Sequence, residues 1–456
     1  KQTINATIGN ITENGTYYAW TKDIVGNVSS KEFTVNKVDK TAPTITKLEA
    51  DNTNWTNKSV NLTVTANDAE SGLYTASPYG WNTNQEWKNS ATTTVTENGT
   101  YTVYVRNAIG NVSSKAITIS NIDKTAPTTP VITAKTGSDT GSTYTSGTWT
   151  NQPVIITATS TDEQSQINRI EYSYDNKTWK TNWGTDLVTN GTQKSIKGTW
   201  NSNYNTTVYV RAVDNVGNVS AVSSIVLRQD KTAPTMTTPT ISPTGWTKGN
   251  VTVTAKAIDN GSGIVAYQWS TNSGLTSASG GWTSITNTKS QITQTYTATG
   301  NGTYYFYAKD ASGNLGVTNI KITNIDKTPP TINSNLKATG TTINSISLSL
   351  GVGSDIGSGL KKIEWYYGTT NNPTTKAGET SITTAQTATY TVSNLGLVTT
   401  YYLKAIVYDA VGNQVSSAVI SAKTANPTAG DVSYTPADSS WDVENVKEAL
   451  DYFFNK

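Results

Sequence analysis

Asp39-Lys40-Thr41-Ala42-Pro43 returns as Asp123-Lys124-Thr125-Ala126-Pro127, as Asp230-Lys231-Thr232-Ala233-Pro234 and, with one change, as Asp326-Lys327-Thr328-Pro329-Pro330. The starts lie 84, 107 and 96 residues apart. A second phrase keeps step with the first: Asp23-Ile24-Val25-Gly26-Asn27, Asn107-Ala108-Ile109-Gly110-Asn111, Asp214-Asn215-Val216-Gly217-Asn218, Asp310-Ala311-Ser312-Gly313-Asn314 and Asp409-Ala410-Val411-Gly412-Asn413. Two unrelated phrases repeating in phase mark a tandem array of one domain type. Their positions predict a partial unit at 1–38, complete units at 39–122, 123–229 (the longest), 230–325 and 326–423, and a tail at 424–456.

Within each unit the period is two. In Ser59-Val60-Asn61-Leu62-Thr63-Val64-Thr65-Ala66 the apolar residues face one way and the polar ones the other, the pattern of a strand with one buried face. Residues 152–158 and 250–255 repeat it, each behind a Trp-Thr pair: Trp55-Thr56, Trp149-Thr150 and Trp246-Thr247. Later strands at 99–106, 207–211 and 303–309 run into the Gly-Asn phrase, a hairpin turn. Asn-Gly steps at Asn14, Asn98 and Asn301 read as tight turns that use φ > 0. The last strand of a unit flows directly into the Pro-containing seam, which predicts short, semi-rigid linkers and a rod-like array. The fold class is therefore all-β: tandem sandwiches. One exception closes the chain. Residues 441–454 place Val443, Val446, Leu450 and Phe453 at helical spacing behind an acidic first turn. That predicts a short amphipathic helix used for self-association.

Composition removes most chemistry. The chain has no Cys and no His, so disulfides, thiolate nucleophiles, imidazole metal ligands and Ser-His-Asp catalysis are excluded. Charged residues are 14% and net charge is +2, without the basic stripe of a nucleic-acid binder. No apolar run reaches the length of a membrane-spanning helix. The chain opens in mid-repeat, as a fragment or processed product does. The reading is a secreted, cell-surface or virion-surface protein of bacterial or phage origin, with no catalytic activity.

The seam phrase, the Gly-Asn turn and the Ser-Gly step (Ser71-Gly72-Leu73, Ser262-Gly263-Ile264, Ser358-Gly359-Leu360) resemble the bacterial Ig-like repeats of large surface adhesins over residues 1–423. Leu395-Gly396-Leu397-Val398-Thr399-Thr400-Tyr401 makes the last unit similar to fibronectin type III domains, with Leu397 where that family has Pro. The tail is similar to short segments of phage tail fibres and Firmicutes surface proteins. The resemblance implies an adhesive stalk or fibre. Its alternatives are a phage fibre or decoration protein that touches host or mucus glycans, and an accessory region of a secreted glycan-degrading enzyme.

The acidic residues are the candidate sites. Asp39, Asp123, Asp230 and Asp326 open the seams, while Asp23, Asp214, Asp310 and Asp409 sit in the turns; Asp68, Asp162, Asp259 and Asp355 lie mid-unit. Carboxylates from three loops suit Ca²⁺, and related adhesins rigidify their rods with it. The competing account is that each Asp caps its own turn. Along the sequence no unit shows the dense acid cluster of a tight calcium loop, and Asn107 breaks the turn series. Among the 13 Trp, recurrence in register argues packing for Trp55, Trp149 and Trp246. Trp179, Trp183 and Trp200 are then the candidates for an exposed, glycan-stacking platform. Neighbouring acids such as Asp68 with Glu70 and Asp162 with Glu163 are charged loop residues rather than a glycosidase pair.

Overall fold

The computed structural model describes residues 7, 9–82, 86–181, 183–187 and 191–428. The helix expected from Val443, Val446, Leu450 and Phe453 lies outside the described residues. Two compact bodies, Lys1–Gln229 and Asp230–Lys456, divide the chain.

The first body opens with an antiparallel hairpin, Gly15–Lys22 on Val28–Val35. Then comes a sandwich of two sheets. One is ordered Thr44–Ala50, Val60–Asn67, Thr92–Val95; the other Glu86–Lys88, Tyr79–Trp81, Gly99–Arg106, Val112–Ile119. The next sandwich sets Val131–Thr136, Val154–Thr161, Gln193–Trp200 and Thr185–Leu187 against Trp149–Thr150, Ser223–Gln229, Tyr204–Asp214 and Ile167–Ser173. In the second body Val251–Ile258 pairs with Thr235–Met236, Thr240–Ser242 and Ile292–Ala298, and faces the sheet of Thr283–Thr288, Ile264–Ser270, Gly302–Asp310 and Leu315–Ile322. The last sandwich pairs Ile332–Thr341, Ile346–Val352 and Gln386–Val392 in one sheet. The other holds Thr375–Ser381, Leu360–Gly368, Thr400–Asp409, Gln414–Ser416 and Ile420–Lys423. These are Ig- and fibronectin-III-type sandwiches. Among the described residues there is no helix, and hence none long and apolar enough to cross a membrane.

The alternation read along the strands is the alternation of burial. Val60, Leu62 and Val64 are buried while the residues between them face outward, and Val154–Thr161 repeats the pattern. In the last unit Trp365 is fully enclosed, stacked on Tyr390 at 5.5 Å, with its indole N–H given to Thr380 Oγ1 at 2.9 Å. Tyr401 folds back so that its hydroxyl accepts the Gly396 N–H at 2.8 Å, and Leu395 is buried beside it while Leu397 is exposed. The core half of the fibronectin-like phrase is thus kept, and the departure falls on its solvent side.

Two tryptophan expectations are reversed. Trp183 and Trp200 are 7% and 5% exposed and pack edge to face in the core. Trp179 is half-buried under the Arg211 guanidinium, 4.1 Å from its ring. Trp55 and Trp246, which register marked as core, are 45% and 46% exposed. What recurs at that position is the backbone of the following Thr. Thr56 and Thr247 each make a single parallel bridge to the residue before the seam, Ile122 and Ile325.

The Asn-Gly steps also work differently from the tight-turn reading. Neither residue of the steps at Asn14 and Asn98 has positive φ, and in the third step only Gly302 does, at 159°. Each Asn instead clamps the residue before the next seam. Asn98 Nδ2 donates to Ile122 O at 2.8 Å and Asn98 Oδ1 accepts the Ile122 N–H at 2.8 Å. Asn14 does the same to Val38, both at 2.7 Å, and Asn301 to Ile325 at 2.8 and 3.0 Å.

Candidate metal centre at the unit seams

All four seam Asp residues are gripped from one side, and Asp123 and Asp326 from two. Behind the seam, the Asp123 N–H donates to Thr56 O and the Asp326 N–H to Thr247 O, both at 2.8 Å. Ahead of it, the Gly-Asn turn reaches back. Asn111, Asn218, Asn314 and Asn413 give their side-chain N–H groups to the carbonyls of Asp39, Asp123, Asp230 and Asp326, at 2.9 to 3.1 Å. The glycine of that turn sits at φ of 88–101° in every copy, a conformation that costs a side-chain-bearing residue.

The carboxylates cap as the turn chemistry requires. Asp123, Asp230 and Asp326 Oδ1 accept the N–H two residues on, from Thr125, Thr232 and Thr328. Asp214, Asp310 and Asp409 Oδ1 accept the N–H of the turn Asn at 2.7–2.8 Å, and their Oδ2 the same Asn's side-chain N–H. Capping is only half of their role. The other oxygen of the seam Asp points into the mid-unit loop and accepts the N–H of Ser262 or Ser358 of the Ser-Gly steps, or of Ser165, where Gln166 at φ 71° stands in place of the glycine. Gly261 and Gly357 in that loop have no room for a Cβ, which would meet the Asp230 and Asp326 carboxylates.

Three loops therefore bring three acids together. Asp123, Asp162 and Asp214 form one trio, Asp230, Asp259 and Asp310 a second, and Asp326, Asp355 and Asp409 a third; in each, one oxygen per residue lies within 4.8 Å of the others. All are buried except Asp355, which is half-buried. This corrects the expectation that no unit carries a dense acid cluster. The cluster is assembled from residues dozens of positions apart. The predicted metal candidates Asp123, Asp214, Asp230, Asp310, Asp326 and Asp409 are brought together by seams and turns, and mid-unit Asp162, Asp259 and Asp355 complete each set.

Asp39 belongs to a different arrangement. Its turn residue is Asn107, whose side-chain N–H groups donate to Asp39 Oδ2 at 3.0 Å, Thr41 O at 3.0 Å and Asp68 Oδ2 at 3.3 Å. Asp23, in the opening hairpin, accepts the N–H of Val25 and of Asn27.

The electrostatics differ within the trios, and Asp326 behaves as Asp39 does. Burial pushes Asp310 up to about 6, with Asp230 and Asp259 adding repulsion. Burial likewise raises Asp162 and Asp259. Burial opposes ionisation of Asp326 too, but the Ser358 N–H and the Thr328 hydroxyl bring it down to about 2. Asp39 is held far below the usual range by the hydroxyls of Ser71 and Thr41. Crowded buried carboxylates favour either a proton or a cation. Oxygens from three loops at this spacing are the donor set of a hard divalent ion of calcium size. The third trio opens to solvent through a groove of about 450 Å³ lined by Asp326, Asp355, Trp246 and Ile356. Buried polar atoms without a hydrogen-bond partner accompany all three trios: Ser165 Oγ, Ser312 Oγ, and Asp355 Oδ1 with Ser358 Oγ.

No family model matches this sequence. Exoglucanase B of Cellulomonas fimi is 32% identical over 339 residues, 70% of this chain and 28% of that protein. Chitinase A1 of Niallia circulans is 30% identical over 228 residues, 48% of this chain and 29% of that protein. The chain spans less than a third of either relative. Among solved structures, titin domains A168–A170 align at a TM-score of 0.28 and 14% identity, over 65% of this chain and 98% of that one. A tetra-tandem repeat from the extending region of a large adhesion protein aligns at 0.30 and 14%, over 83% and 98%. The FN1–FN3 domains of chicken CNTN1 align at 0.21 and 12%, over 66% and 99%.

Proposed function

We propose that the chain is a non-catalytic extracellular spacer of Ig- and fibronectin-III-like units whose seams hold divalent cations of the calcium class. One observation carries this reading. The residues that repeat in phase are used at the joints. The seam Asp, the Ser-Gly loop, the Gly-Asn turn, the Trp-Thr pair and the Asn-Gly clamp all meet where one unit hands over to the next. Repeating a joint rather than a cleft is what a spacer requires. The trios do not suit glycoside hydrolysis, whose two carboxyl groups stand about 5–10 Å apart around the scissile bond. Here the oxygens crowd within 4.8 Å, buried in a single unit.

A narrower version is supported by the sequence shared with Exoglucanase B and Chitinase A1. In it the units belong to the accessory region of a secreted glycan-degrading enzyme, and catalysis resides elsewhere in the longer protein. Two measurements test these readings. Incubation with cellulose and with chitin is expected to release no soluble sugar, and soluble product would overturn the non-catalytic reading. Titration with CaCl₂ is expected to give binding that EDTA reverses and a higher melting temperature. Absence of both would overturn the seam cation.

A further inference from the structure

The four complete units are not equivalent at the joint, and we infer that unit 39–122 carries its own substitute for the cation that the other three require. This rests on the cation reading above and concerns which seams depend on it. The substitute is the Asn107 amide. Asn107 is fully buried and occupies the turn position that Asp214, Asp310 and Asp409 occupy elsewhere. Its two N–H hydrogens are shared among one oxygen each of Asp39, Asp68 and Thr41 at 3.0–3.3 Å. The exchange of a carboxylate for an amide therefore does two things at once. It removes the negative charge of the turn position, and it points donors at Asp39 and Asp68; Glu70, pushed up by its hydrogen bond to Asp39, is a further carboxylate beside them. Both are what a bound cation would accomplish in the other units.

A second observation is independent of the acids themselves. At each carboxylate trio some buried polar atom has no hydrogen-bond partner. Ser165, 4% exposed, gives its N–H to Asp123 while its hydroxyl has none. Ser312, 9% exposed, lies in the turn that follows Asp310 and its hydroxyl has none. Asp355 Oδ1 and Ser358 Oγ are the corresponding atoms of the third trio. At Asn107 the amide is fully engaged, and the unpaired buried atoms of that unit, Ser113 Oγ and Trp81 Nε1, belong to the strands rather than to the acid-bearing loops. The equivalent serine, Ser71, gives its N–H to Asp68 and its hydroxyl lies 3.5 Å from the same carboxylate. Buried polar groups in a native fold are almost always satisfied. Unpaired atoms recur in the acid-bearing loops of the three trios, whereas in unit 39–122 those loops receive the Asn107 donors. The chain thus contains one unit whose acid-bearing loops are tied by its own amide, followed by three in which the same loops depend on the divalent ion.

The full-length chain tests this by counting ions. Equilibrium dialysis against radioactive Ca²⁺, in matched buffer, is run on the wild type, on Asn107→Asp and on Asp310→Asn. Asn107→Asp is expected to bind one ion more than the wild type, and Asp310→Asn one fewer. Amide exchange across residues 310–314 is expected to lose its response to EDTA in Asp310→Asn, since the new amide takes over. If Asn107→Asp binds no extra ion while amide exchange shows unit 39–122 folded, the inference is overturned and the cation reading stands. If Asn107→Asp does not fold, Asp310→Asn decides the matter; a full complement of ions there, or retained EDTA sensitivity, overturns the inference. If the wild type binds no calcium, the cation reading falls and the inference with it.

Discussion

Replacing Asn301 with Ala isolates the clamp that ends one unit and begins the next. Asn301 holds both backbone groups of Ile325, donating to its carbonyl at 2.8 Å and accepting its N–H at 3.0 Å. Ile325 is buried, so water does not freely replace either partner. A neutral hydrogen bond contributes about 1 kcal/mol net, while a buried group left unpaired costs about 1–3 kcal/mol. Two such groups, at the low end of that range because the seam borders solvent, give about 2–4 kcal/mol of local destabilisation. One factor of ten in an opening equilibrium corresponds to about 1.4 kcal/mol. Hydrogen exchange at the Ile325 amide, followed by mass spectrometry on the intact chain, is therefore expected to accelerate by at least about tenfold. The effect should reach Asp326, whose N–H bonds to Thr247 O beside the clamp. Asn98→Ala should repeat it at Ile122 and Asp123, where the same geometry recurs. Exchange within about threefold of wild type at both sites would refute the clamp and return Asn-Gly to simple turn formation.

Other perturbations follow from the same structure. Trp183→Ala should cost about 3–5 kcal/mol, as large-to-small core changes do, whereas Trp246→Ala should move stability by about 1 kcal/mol or less, because nearly half of its ring is already in water; thermal unfolding of the two variants compares them directly. Glu364 accepts from Lys362 at 2.6 Å, Lys376 at 2.9 Å and Tyr366 at 2.8 Å, and these donors hold its carboxyl down to about 2. A depressed pKa stabilises the fold above the ordinary Glu value near about 4.3 and loses that contribution as pH falls toward about 2. The shift is worth about 3 kcal/mol at most and about 1–2 once the partly exposed lysines are screened. Glu364→Gln should thus be less stable than wild type at about pH 7 and nearly equal to it at about pH 2, in urea titrations at each pH. If the chain binds insoluble cellulose or chitin, retention should fall with Trp246→Ala and not with Glu364→Gln; the reverse order would remove the exposed tryptophans from that role.

Strand periodicity was legible because burial on one face of a sheet writes itself into every second residue. Val60, Leu62 and Val64 need no tertiary knowledge to be placed inward. Tryptophan was less legible, because its in-register recurrence has two causes that sequence does not separate. Trp365 repeats no seam phrase and is core, while Trp55 and Trp246 repeat because the Thr after each must bridge to the end of the last strand. Asn-Gly misled for a related reason. The dipeptide's local preference is for a positive-φ turn, but here the side chain is committed to a residue 24 positions later, an interval identical at Asn14, Asn98 and Asn301. That constant interval was the available signal, visible once both ends are counted.

The acid trios were legible in principle through topology. In a sandwich of alternating up and down strands, the start of the first strand, the loop between the second and third, and the turn between the last two all lie at one pole. Asp123 precedes the first strand, Asp162 follows the second long strand, Val154–Thr161, and Asp214 opens the final turn, so the three carboxylates share that pole although 91 residues separate the outer two. Sequence density was the wrong measure of clustering. The relevant count is the number of acids per pole, which gives three for the units beginning at Asp123, Asp230 and Asp326. In the unit beginning at Asp39 the same three positions hold two Asp and an amide, with Glu70 beside Asp39 as an additional acid. Asn107 then ceases to be an exception that weakens the pattern. A position that were only a turn cap would be filled equally well by Asn or Asp, and the exchange would leave the neighbouring loops unchanged. Here the exchange changes what the other two carboxylates bond to, and only where the third acid is lost. The turn position therefore answers to the pole it faces as well as to the turn it caps, and that is a constraint a spacer would place on its joints.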